Sequence, residues 1–97
     1  MLTRNNIVKT MRKNSGELKT LGVKKIGVFG SFARLSQHGK SDIDVLVEFQ
    51  KGQKDFDNYM ETKFLLEKLF HRKVDLVIKD ALKPRIKLHI LEEVIYA

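Results

Sequence analysis

Apolar residues along this chain recur in two periods, and the switch between them marks its elements. Ile7, Met11, Leu18 and Leu21 are spaced by three, four and seven residues, which lines them on one helical face, and Gly22 supplies a stop. Asn14-Ser15-Gly16 interrupts this pattern with weak helix formers, so it predicts two short helices with Ser15 capping the second. Lys25-Ile26-Gly27-Val28-Phe29 is a short apolar run that ends at Gly30-Ser31, and a second run continues from Asp42 to Phe49; both read as strands. In the second, Ile43, Val45 and Val47 share one face, while Asp42, Asp44 and Glu48 share the other, because strand side chains alternate. After the polar residues 50–55, Asp55 or Asp57 caps a helix that runs to about Phe70. Its apolar positions are Phe56, Met60, Phe64 and Phe70, with Tyr59, Leu66 and Leu69. Val74–Ile78 is a third strand with Val74, Leu76 and Ile78 inward and Asp75 on the opposite face. Pro84 suits the first turn of a last helix, whose stripe is Ile86, Ile90 and Val94. The pattern predicts an α/β (α+β) unit: a small sheet of three to four strands with helices packed on one face, and residues 1–97 forming a single domain.

Composition narrows the classes. The chain has 97 residues, is 42% hydrophobic and has no cysteine. Neither a disulfide framework nor a thiolate site is available, and a cytoplasmic location is expected. Its apolar runs are far shorter than the roughly 20 residues of a spanning helix, and its N-terminal stretch lacks a signal core, so no membrane association is expected. With 19 Lys and Arg against 12 Asp and Glu, the net charge is +7, which favours an anionic partner without choosing among nucleotide, nucleic acid and acidic protein. The basic residues are scattered, apart from His71-Arg72-Lys73, and most read as solvated surface.

Residues 30–44, GSFARLSQHGKSDID, contain two candidate chemistries. Gly39-Lys40-Ser41 has the tail of a phosphate-binding P-loop, but the first glycine of that motif would fall at position 34, which is Arg34. An EF-hand is excluded because Leu46 and Val47 stand where a ligand and a glycine belong. What remains is Gly30-Ser31 followed by Asp42-Ile43-Asp44. A Gly-Ser after a strand is usually only a turn, and a lone D-x-D is usually a cap beside a solvated strand end. Together with Asp75 on a further strand, however, they form a specific constellation. Three carboxylates on one sheet face are hard oxygen ligands suited to Mg²⁺, which takes a few carboxylates plus substrate phosphates. Gly30 and Ser31 bring backbone and hydroxyl donors to a phosphate, and Arg34, one turn on, adds a bidentate cation.

The segments GVFGSFAR, SDIDVLVEF, RKVDLVIKDALKPRI and ILEEVIYA resemble the minimal nucleotidyltransferases of the DNA polymerase β superfamily, from about Ile7 to the end of the chain. The resemblance implies a small mixed sheet of the polymerase-β-like nucleotidyltransferase fold. It implies that Gly30, Ser31 and Arg34 hold the triphosphate of ATP, that Asp42 and Asp44 bind two Mg²⁺ ions, and that Asp75 completes the metal site and assists the attacking hydroxyl. One departure is Leu35, where the family usually has glycine. Many such stand-alone domains are similar to antitoxins paired with HEPN-type toxins, which they modify by transferring AMP to a tyrosine. The implied protein is therefore an Mg-dependent protein adenylyltransferase. A catalytically silent antitoxin that acts by contact, and a small basic nucleic-acid-binding protein, stay open as alternatives. Direct nucleic-acid binding is disfavoured by the lack of an aromatic-rich basic strand. Oligomeric state and nucleotide base are left undetermined.

Overall fold

The computed structural model describes residues 2–97. Its elements are α1 (Arg4–Lys13), α2 (Ser15–Thr20), β1 (Val23–Phe29), α3 (Gly30–Ala33), β2 (Ile43–Phe49), α4 (Phe56–Phe70), β3 (Val74–Ile78), a 3-10 turn (Lys79–Ala81), α5 (Pro84–Glu93) and β4 (Ile95–Tyr96). The four strands form one mixed sheet in the order β3-β2-β1-β4. β1 is antiparallel to both β2 and β4, and β2 is parallel to β3. A parallel pair needs a long crossover, and α4 provides it.

Local chemistry sets the helix ends. The Thr3 hydroxyl accepts from the Asn6 N–H at the start of α1, and the Asp55 carboxylate accepts from the Asn58 N–H at the start of α4. The break between the first two helices falls at Asn14, not Ser15. Ser15 is already the first residue of α2, and that helix has no side-chain cap bond. The Asn14 side chain turns back to donate to the Thr10 carbonyl at 2.8 Å, and so closes α1.

One face of the sheet carries the main core. Ile7, Met11, Leu18, Leu66 and Phe70 pack on Ile26, Val28, Ile43, Val45, Val47, Val74 and Leu76. The other face carries a smaller cluster of Phe29, Leu46 and Ile90, with Val77, Leu91 and Val94 against it. Helices were expected on one face only; α1, α2 and α4 are there, but α5 covers part of the other. The reason lies in the strands themselves. Leu46 and Val77 alternate with Val45 and Leu76, so the second face is apolar at its centre and needs a cover.

Two predicted stripes shift for similar reasons. On α4 the buried side is Thr62, Leu66 and Phe70, whereas Phe56 and Phe64 are 76% and 58% exposed. Thr62 is tolerated inside because its hydroxyl donates to the Asn58 carbonyl at 2.7 Å. On α5 only Ile90 is buried; Ile86 is exposed and Val94 is the residue that ends the helix. No helix among the described residues is long and apolar enough to cross a membrane.

Candidate functional site

The sheet register brings the predicted residues to one end of the second face. Phe29, the last residue of β1, pairs with Asp44, and Asp44 pairs with Asp75 on the parallel neighbour. Laterally paired residues project to the same side, so both carboxylates stand on the face that α5 only partly covers. Asp42 lies just before β2 and is exposed. Its charge still reaches Asp44, whose carboxyl is held above the ordinary carboxylate range. Burial is the largest cause, followed by the charges of Asp75 and Asp42, with Arg34 opposing and Glu93 adding to the rise.

The phosphate-side residues follow immediately from β1. Gly30 opens α3 with φ +71°, a left-handed value that glycine adopts without a Cβ penalty. A Cβ there would run into the Asp44 carboxylate, so the glycine also leaves room for that acid. Ser31 is half-buried in the same turn, and Arg34 ends α3 exposed. Leu35, where the resemblance implies glycine, follows at φ +61°, a left-handed value held by a leucine that is 62% exposed. The turn is closed by a hydrogen bond from Ser36 N–H to the Ser31 carbonyl at 2.9 Å.

Three further residues shape the site without having been singled out in the sequence. Arg4 reaches from α1 to donate to the Ala33 carbonyl at 3.0 Å and so braces α3. Arg72 donates to the Ser41 carbonyl at 3.1 Å while its guanidinium lies 5.5 Å from the centre of the Phe32 ring, which fixes the approach to Asp42. Glu93 accepts from both Gly30 N–H and Arg34. A signal for Glu93 was present: Glu92 and Glu93 close the last helix, where the helix dipole disfavours anions. No comparable pattern betrays Arg4 or Arg72, whose partners are backbone carbonyls distant in sequence.

The donor chemistry of Asp42, Asp44 and Asp75 fits a hard divalent cation, and their mutual repulsion is what such a cation would relieve. Among the described residues, however, no three Asp, Glu, His or Cys side chains are already gathered in a metal-holding arrangement. A groove of about 660 Å³, lined by Met11, Lys19, Lys24, Lys25 and Tyr96 among others, opens near the other end of β1, with no Asp or Glu side chain in its lining. Its size does not make it the catalytic centre, because the convergent titratable groups lie elsewhere.

A family model described as the nucleotidyltransferase domain matches residues 6–97. The chain is similar to a candidate protein adenylyltransferase of Methanocaldococcus jannaschii, at 46% identity over 98 residues covering 99% of both chains. It is also similar to protein adenylyltransferase MntA of Thermococcus cleftensis, at 38% identity over 97 residues, 99% of this chain and 97% of that one. Among solved structures it resembles a candidate minimal nucleotidyltransferase with a TM-score of 0.74 and 32% identity, covering 91% of this chain and 93% of that one. It also resembles a chain of a toxin-antitoxin complex solved with AMP-PNP, with a TM-score of 0.69 and 25% identity, covering 98% of this chain and 72% of that one.

Proposed function

Because the chain belongs to the nucleotidyltransferase domain family, we propose that residues 1–97 form one minimal nucleotidyltransferase domain. In this reading it is an antitoxin that transfers AMP from ATP to a tyrosine hydroxyl of a HEPN-type toxin. The observation that carries the reading is the juxtaposition of Gly30, Ser31 and Arg34 at the end of β1 with the laterally paired Asp44 and Asp75. Protein adenylyltransferase relatives support the acceptor class, and the toxin-antitoxin neighbour with its nucleotide analogue supports both partner and substrate.

In this mechanism Ser31, Arg34 and the Gly30 N–H orient the phosphates, leaving the α-phosphorus near the carboxylates. The acceptor oxygen bonds to that phosphorus, the bond to the β-phosphate oxygen breaks, and pyrophosphate leaves with the electron pair. Asp75 receives the proton of the attacking hydroxyl. Asp42, Asp44 and Asp75 would hold Mg²⁺, two ions by the family pattern. Bound there, the metal would supply charge neutralisation for an in-line displacement.

The deciding experiment is mass spectrometry of the toxin partner after incubation with the chain, ATP and Mg²⁺, with a pull-down alongside. AMP added to a partner tyrosine is the expected result. A partner that is bound but never modified would sink the enzymatic reading in favour of an antitoxin that works by contact alone.

A further inference from the structure

Two of the three groups assigned above to phosphate, the Gly30 N–H and Arg34, already share one anion. Glu93, the last residue of α5, accepts from the Gly30 N–H through Oε1 at 3.3 Å and from Arg34 Nη1 through Oε2 at 2.9 Å. Its side chain is only 18% exposed, so this is a seated carboxylate rather than a loose surface pair. The position opposes local electrostatics twice. A carboxylate at the C-terminal end of a helix faces the negative end of its dipole, and this one also adds repulsion to Asp44. Helix stability therefore does not account for it. What does account for it is the donor pair: a backbone N–H beside a guanidinium is the set a phosphate oxygen takes, and a carboxylate presents the same charge and bidentate geometry.

Resting on the phosphate role proposed for Gly30 and Arg34, we infer that Glu93 is an internal surrogate for the substrate phosphate. It holds these donors in their receiving arrangement and is exchanged for the triphosphate when nucleotide binds. The exchange sets a threshold. A polyphosphate brings enough charge to displace both bonds, whereas a single phosphate ester meets the same Glu93 with less to offer. Glu93 is thus a specificity-determining residue that favours polyphosphate ligands and, after transfer, retakes both donors.

The test is calorimetric titration of the full chain with ATP and, separately, with inorganic tripolyphosphate, alongside thermal melting. Glu93→Gln removes the charge and keeps an acceptor, and should bind both ligands about five- to twentyfold more tightly, the scale of one close unit charge in a partly screened site. Glu92→Gln makes the same charge change on an exposed neighbour and should stay within about twofold, because solvent screens it. In an Arg34→Ala background, itself weakened for ATP, the gain from Glu93→Gln should shrink, since the shared donor is gone. If Glu93→Gln melts early, Glu93→Asp is read instead: it keeps the charge but withdraws it from both donors, and should give a smaller gain. Unchanged or weaker binding by a folded Glu93 variant, with Arg34→Ala still impaired, overturns the surrogate alone. Normal ATP affinity in both Arg34→Ala and Ser31→Ala overturns the phosphate reading beneath it.

Discussion

The two faces of the sheet are built from the same four strands and share almost nothing else. On the closed face Ile43, Val45, Val47, Val74 and Leu76 are covered by α1, α2 and α4. Between them, one residue out of step, Asp44 and Asp75 come to the half-open face beside Leu46 and Val77. The closed face tolerates polar groups only when they are satisfied locally, as Thr62 is. The half-open face instead accumulates like charge around Asp44. Strand alternation thus separates what holds the fold from what burdens it, and the burden lies where the proposed chemistry needs its carboxylates.

Single substitutions should split along that division. Leu66→Ala opens a cavity on the closed face and should cost about 2–5 kcal/mol. Urea denaturation should show a lower midpoint while the transfer rate per folded molecule stays near wild type; a loss below about 1 kcal/mol would mean that the core is looser than its burial implies. Asp75→Asn is the counterpart on the other face. It should lose at least about a hundredfold in transfer rate, the effect of removing a positioned proton acceptor, while Mg²⁺-ATP and the partner still bind. Mass spectrometry of AMP incorporation checks it, and labelling at the wild-type rate would remove Asp75 from its role.

Gly30→Ala tests the seam between the faces. The new Cβ meets Asp44 and also imposes a left-handed φ on a residue that resists it, so a stability loss of about 1–3 kcal/mol is expected, together with weakened ATP binding. A variant that melts like the wild type would show that the turn can relax, and that Gly30 is not placed by the conflict.

Three of the four strands, the shared side of Asp44 and Asp75 and the capping Asp55 were readable because each obeys a local rule: alternation, spacing or a side-chain oxygen ahead of a helix. Asp42, expected on the same strand face, instead lies just before β2. The side of the sheet on which α5 lies was also encoded, in Leu46 and Val77, but both strands had already been given a single buried face. The exposed Phe56 and Phe64 illustrate the opposite failure. Phe56, Met60 and Phe64, four apart, look like a core stripe, yet the packed row is Thr62, Leu66 and Phe70. β4 spans two residues, too few to show a period, and exists only through pairing with Gly27 and Val28. Of the site, Gly30, Ser31, Arg34, Asp42, Asp44 and Asp75 could be named from the motif and its family resemblance. Arg4 and Arg72 could not, because their roles arise from contacts with residues that are far away in the chain, and for Glu93 only the misfit of an acid at a helix C-terminus was visible, not its partners.

A smaller effect is expected where the chain departs from its family. Leu35 holds a left-handed φ while being mostly exposed, so its side chain gives little packing in return. Leu35→Gly should stabilise by about 1 kcal/mol, the approximate penalty for a non-glycine residue in that region, reduced by the greater entropy of the unfolded glycine chain. Thermal melting should rise and ATP affinity should stay unchanged. A lower melting temperature would mean that Leu35 makes a contact that outweighs its strain.

The smallest effect is the most specific to the half-open face. Burial and the charges of Asp75 and Asp42 raise the Asp44 carboxyl above its ordinary value of 3.8. The folded protein therefore binds that proton more tightly than the unfolded chain does. The resulting contribution to stability is present below the ordinary value and is lost as pH rises through the raised one. At neutral pH, with a chelator present, Asp44 is an ionised group in an unfavourable place, and Asp44→Asn should melt a few degrees higher than the wild type. As pH is lowered toward the ordinary value, the wild-type carboxyl takes up its proton and the two melting curves should converge. Titrations common to both proteins largely cancel in this difference, so its slope reports mainly on Asp44 and its neighbours. Added Mg²⁺ should reverse the order at neutral pH, because a cation bound to the folded state stabilises the wild type and loses a ligand in the variant. A pH-independent gap would show that Asp44 is not under strain from its neighbours. A gap that Mg²⁺ leaves untouched would separate that strain from any metal-binding role.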